Sequence, residues 1–152
     1  MNKETLQRIE DLLREEATRE GIELVSVRFF VDSLNGPTLE VLVDHDYQIT
    51  MDEISAFTEK ASPLLDSLPE LEESYLLDIS SGGGEKLIPF DDLAKLIGHY
   101  IDVRTKDGRK TTMKLEGVQG GKAQFVYFIK GRRKKEVLGP EDIDSMKMGY
   151  KA

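Results

Sequence analysis

The hydrophobic pattern of this chain changes at one place, and that break constrains the fold more than any other feature. Before Ser80-Ser81-Gly82-Gly83-Gly84, two long stretches have apolar residues at helical spacing, with shorter alternating runs between and after them. After the break only short alternating runs remain, separated by glycine turns. Three consecutive glycines offer no side chain to pack and lose the most entropy on ordering. The pattern predicts an N-terminal domain over residues 1–81, a flexible linker over 82–90 hinged at Gly82, Gly83 and Gly84, and a second domain over 91–152. A chain of 152 residues has room for two small domains.

In the first part, Leu6, Ile9, Leu12, Leu13 and Ala17 form one stripe of a helix from about Lys3 to Glu20, closed by Gly21. Val25, Val27, Phe29 and Val31 alternate on one strand face, with Leu24 on the other. Leu39, Val41 and Val43 alternate on the next strand, and Asn35-Gly36 between the two is a hairpin signal. Thr50 and Glu53 make a capping box that opens a second helix, whose stripe is Ile54, Phe57, Ala61, Leu64, Leu65 and Leu68, stopped before Pro69. A third strand over Tyr75 to Ile79 joins the hairpin. This order predicts an α+β sandwich of two helices on one face of a three-stranded sheet.

In the second part, Phe90 to Ile97 reads as a short helix or turn. Strands follow at Tyr100–Arg104, Thr111–Gly117, Ala123–Ile129, Glu136–Leu138 and Met146–Tyr150, with one helical turn around Pro140. Five short strands with glycine connectors predict a small SH3-like (Sm-like) β-barrel, closed so that no edge is exposed.

Charge divides along the same line. Residues 1–90 hold seven Lys/Arg against twenty Asp/Glu, a formal −13; residues 91–152 hold fourteen against nine, a formal +5. The acidic part repels a nucleic-acid backbone and the basic part can approach one. The cations concentrate in two connectors: Arg104, Lys106, Arg109 and Lys110 with Lys114 nearby, and Lys130, Arg132, Arg133, Lys134 and Lys135. If both lie at one side of a small barrel they form an anion-facing patch; the alternative is a pair of solvated hairpin tips. Phe125, Tyr127 and Phe128 lie nearby, and their alternation favours core packing over base stacking. Phe29 and Phe30 are adjacent on one strand and face opposite ways, so one of them can lie on the open side of the sheet.

Several chemistries are excluded. There is no cysteine, so no disulfide, thiolate metal site or cysteine nucleophile. Gly82-Gly83-Gly84-Glu85-Lys86-Leu87 lacks the spacing and hydroxyl of a phosphate loop. The run from Asp44 to Ser55 starts like a calcium loop, but Ile49 stands where glycine is needed and Ser55 where a bidentate glutamate is needed. Neither His45 nor His99 lies next to a serine nucleophile or within an obvious catalytic carboxylate constellation. The reading is of a non-catalytic protein, not an enzyme, with no cofactor and no metal. The absence of a long apolar run argues against a membrane span, and Met1-Asn2-Lys3-Glu4 does not begin a secretory signal, so a cytoplasmic monomer is expected.

Five segments taken together resemble the bacterial ribosome maturation factor RimP family. They are Gly21-Ile22-Glu23-Leu24-Val25, Leu39 to Asp44, Ile49 to Glu53, Tyr75 to Ser81, and Phe90 with Leu96 and Gly98. After Ser81 the family reads P-G-x-[DE]-[RK]-P-[LI]; here Gly82 and Leu87 stand in place of its two prolines. The resemblance implies an α+β domain, an SH3-like barrel, and binding to the free small (30S) ribosomal subunit. The implied partners are 16S rRNA and a small-subunit ribosomal protein near the decoding region. The alternative kept open is an RNA-binding regulator that uses a small Sm-like barrel on free RNA. A metal-dependent enzyme around Asp44 to Glu53 ranks behind both.

Overall fold

The structure, a computed structural model, describes residues 1–71 and 74–149. The chain divides into two compact units, Met1–Gly83 and Gly84–Ala152.

The first unit starts with helix α1 (Lys3–Glu20). The Asn2 side chain accepts the Thr5 N–H at the N-terminus. At the other end Gly21 takes a left-handed φ of 74°, and Ile22 donates its N–H back to the Ala17 carbonyl at 3.0 Å. Strands β1 (Glu23–Asp32) and β2 (Gly36–Asp44) form the hairpin that Asn35-Gly36 signals. Helix α2 (Met51–Asp66) opens on the Thr50/Glu53 capping box, with Thr50 Oγ1 accepting the Glu53 N–H at 3.1 Å. Strand β3 (Leu76–Ser81) then pairs parallel to β2, giving the order β1-β2-β3. Ile9, Leu13 and Ala17 from α1 and Ile54, Phe57, Ala61 and Leu65 from α2 share one core with Leu24, Leu39, Val41 and Val43. This is the two-layer α+β unit expected.

One face assignment changes. A β-bulge between Leu24 and Ser26 inserts Val25 as an extra residue in β1. Leu24 therefore stays on the helix side with Val27 and Phe29, and is only 4% exposed. Val25 turns to the other side. There Gly82 comes so close that a Cβ on it would lie 2.9 Å from Leu42 Cβ and 3.0 Å from Val25 Cβ. Gly82 also donates its N–H to the Val43 carbonyl at 2.7 Å. Gly83 is buried too, and a Cβ there would sit 3.0 Å from Asp44 Oδ1 and 3.1 Å from the Tyr47 carbonyl. At these two positions glycine permits close approach within the first unit.

The second unit holds β4 (Tyr100–Thr105), β5 (Lys110–Gln119), β6 (Lys122–Ile129), β7 (Arg132–Leu138) and β8 (Ile143–Met148). Tyr150, expected at the end of the last strand, lies outside the described residues. All pairings are antiparallel, in the order β7-β6-β5-β4-β8. Ile101 and Val103, Met113 and Leu115, and Ala123 and Phe125 are buried on one face. A 3-10 segment, Phe90–Leu96, contributes buried Leu93 and Leu96.

The closed barrel is not formed. Among the described residues β7 and β8 each pair on one side only, so the sheet is open. Local physics accounts for both edges. Ile88, buried, donates its N–H to the Met146 carbonyl of β8 at 2.8 Å and occupies part of that edge. Strand β7 begins with Arg132-Arg133-Lys134-Lys135, and charge on an edge strand discourages further pairing.

Candidate nucleic-acid interface

Strands β4, β5, β6 and β7 are neighbours in sequence order, so the β4–β5 and β6–β7 turns leave the sheet at the same end. The two basic segments of the sequence thus meet at one end of one sheet. They are not equivalent chemically.

In the first turn, Arg104 on β4 pairs with Lys110 on β5, and both are exposed. Between them the Thr105 hydroxyl and the Arg109 N–H both donate to the Asp107 carboxylate. The Thr105 bond, followed by the Arg109 bonds, holds the Asp107 carboxyl below its ordinary range. Arg109 also reaches Glu136 on β7, Nη2 to Oε1 at 2.6 Å, and this bond raises the affinity of its guanidinium for its proton. Glu136 pairs in register with Phe125, and the ion pair ties the first turn to β7.

The second turn is two residues, Lys130 and Gly131, at φ 50° and 78°. Positive φ at both positions is what a tight type I′ hairpin needs, and it keeps Ile129 and Arg132 in register. The basic run that follows is strand, not loop, so its residues alternate between faces. Lys134 pairs with Tyr127, while Arg133 pairs with Phe128 and Lys135 with Val126. Arg133 turns back across β6 to Glu116 on β5, with Nη2 at 2.7 and 2.9 Å from the two carboxylate oxygens.

Two of the nine expected contact residues, Arg109 and Arg133, are therefore engaged in internal ion pairs. Arg104, Lys106, Lys110, Lys130, Arg132, Lys134 and Lys135 are exposed and form no ion pair among the described residues. Their charge is available to an anion.

Two features escape a reading of the sequence. Lys147 on β8 faces Asp102 on β4. With Arg104, Lys110, Thr112 and Ser145 these two line a hollow of about 430 Å³. The signal was the two-residue step from Ser145 to Lys147 within one strand. Phe128 is 67% exposed, whereas Phe125 is fully buried. In the first unit Phe29 joins the core side and Phe30 lies on the opposite face, under the Arg28 guanidinium. No group of three or more His, Cys, Asp or Glu among the described residues is arranged to hold a metal. No described helix is long and apolar enough to cross a membrane.

A family model described as the RimP N-terminal domain matches residues 12–85, a span that runs from α1 through Gly82 and Gly83. Two curated proteins named ribosome maturation factor RimP are similar along most of their own lengths. The one from Mesoplasma florum is 28% identical over 140 residues, covering 88% of this chain and 85% of that protein. The one from Rickettsia prowazekii is 29% identical over 104 residues, covering 66% and 87%. Over these spans the chain is similar to the RimP family. Within the matched span, Gly82 lies against Val25 and Leu42, two residues inside the segments that carried the resemblance.

Proposed function

We propose that this protein is a cytoplasmic, non-catalytic ribosome maturation factor of the RimP family that binds the free small subunit. The observation that carries the reading is the row of unpaired cations at the β4–β5 and β6–β7 end of the second unit. Such a row can neutralise RNA phosphates, and each contact releases counterions. The first unit, with its excess of acidic residues, is suited to a basic ribosomal protein beside the RNA. A factor that binds an assembly intermediate more tightly than the finished particle stabilises that intermediate by mass action. No bond need be made or broken by its own side chains.

Co-sedimentation with purified small subunits over a salt series tests the reading. The variant Arg132→Glu/Lys134→Glu alters two unpaired cations and leaves the Arg109–Glu136 and Arg133–Glu116 pairs intact. It is expected to bind more weakly, and the slope of log affinity against log salt falls by about 0.9 for each lost duplex phosphate contact, or about 0.7 on a single strand. Unchanged affinity and slope, with the fold intact, would rule out this end of the sheet as the RNA contact.

A further inference from the structure

We infer that Phe128 is a stacking platform for an unpaired RNA base. The inference rests on the preceding reading in one respect, that RNA is the partner at this end of the sheet. A lone exposed apolar side chain is ordinary on protein surfaces. Three observations set Phe128 apart.

The first is its place. Phe128 is 67% exposed near the hairpin end of β6 and points away from the side of Phe125, beyond buried Val126 on its own side of the strand. The inner face is already filled by Phe125, which is fully buried, so Phe128 has no packing role there.

The second is that no cation among the described residues covers the ring. Its cross-strand partner is Arg133, which could lie over it. Instead that guanidinium donates through Nη2 to both carboxylate oxygens of Glu116. Phe30 shows the contrast: the Arg28 guanidinium sits 5.2 Å from its ring centroid. Among the described residues that is the one such contact, so the face of Phe128 is left open.

The third is the frame around it. One step along the sheet on the same face, Lys135 and Lys114 flank Val126, and Lys130 stands at the hairpin tip. None of these three forms an ion pair among the described residues. Strand geometry puts cations of this kind roughly 5–8 Å from the ring, within reach of the phosphates on either side of a stacked base. The ring is also pre-positioned, because the β6–β7 ladder continues to Ile129 and Arg132 and the two-residue turn holds it. Open aromatic face and surrounding cations are the two parts by which proteins hold single-stranded nucleic acid without reading its sequence. An apolar protein partner would have to set its surface against three unneutralised lysines.

Fluorescence anisotropy of the full chain with a labelled single-stranded RNA of mixed, non-pairing sequence tests the assignment, with the duplex of the same RNA as a parallel probe. Phe128→Ala is expected to weaken single-strand binding about 5- to 150-fold, the range that loss of one stacked base produces. Phe128→Tyr should keep the affinity, and duplex binding should be the same in all three proteins. The inference is overturned if Phe128→Ala with an unchanged amide spectrum binds the single strand as tightly as wild type, or loses single strand and duplex alike. It is overturned as well if wild type has no affinity for the single strand. If Phe128→Ala reduces only co-sedimentation with small subunits, the ring meets a protein and the inference is again overturned. Wild-type co-sedimentation decides the preceding reading separately.

Discussion

Replacing Gly82 by alanine is the sharpest test of how the glycine segment works. The added Cβ would lie 2.9 Å from Leu42 Cβ and 3.0 Å from Val25 Cβ. Neither atom is the tip of a flexible side chain, so the strands themselves must shift. Overpacking of this kind costs about 1–3 kcal/mol. Alanine also restricts the unfolded chain, which returns about 0.4–1 kcal/mol. The net is a loss within about 0–2.6 kcal/mol, centred near about 1.3 kcal/mol. In a domain the size of the first unit the central value lowers the melting midpoint by about 5–10 °C. The assay is direct, because both α-helices lie in the first unit and the helical circular dichroism reports its unfolding. Gly82→Val should lower the midpoint further. If Gly82 served only the freedom of a tether, alanine would leave the helical transition unchanged or raise it. That result would refute the packing argument.

Two further outcomes follow from the first unit. Leu24→Ala should cost about 2–5 kcal/mol in urea unfolding and Val25→Ala clearly less, because the bulge puts Leu24 in the core; the reverse order would refute that bulge. The Thr50 N–H, and then His45, hold the Glu53 carboxyl below its ordinary 4.5, so its contribution to stability is complete above that pH and is lost as pH falls through the lower folded value. Glu53→Gln keeps an oxygen for the capping box but removes this linkage. Its acid unfolding profile should be flatter below pH 4.5, and a profile parallel to wild type would contradict the assignment.

Where local signals decide the structure, they are legible in the sequence. The stripe of α1, its glycine stop, the Thr50/Glu53 box and the Asn35-Gly36 turn each act within a few residues, and each is found where the spacing puts it. The misses come from effects that spacing does not encode. Val25 sits in a bulge with no glycine to announce it, so strict alternation assigned Leu24 to the wrong face. The basic run after Gly131 reads as a connector because its charge outweighs its strand signal, yet pairing with β6 makes it a strand from Arg132. Alternation sent Phe128 inward with Phe125, although adjacent strand positions cannot share a face with both Phe125 and Tyr127. Barrel closure depends on what meets the two outer strands, and Ile88, distant in sequence from β8, takes up part of one edge. Of the interface, the sequence shows which cations exist, but not that Arg109 and Arg133 are tied up by Glu136 and Glu116.

The parallel pairing of β3 beside β2 has a consequence for the growing chain. The β1–β2 hairpin closes locally and can form as soon as Asp44 is made, but β3 is separated from it by the whole of α2. Until Leu76–Ser81 is synthesised, the Thr38–Val43 edge of β2 is bare, with Leu39, Val41 and Val43 available to any passing strand. Gly82 and Gly83 complete the unit only as the last of it emerges. During synthesis, then, the aggregation hazard lies in the interval between Asp44 and Gly83, and slowing translation across α2 would lengthen it.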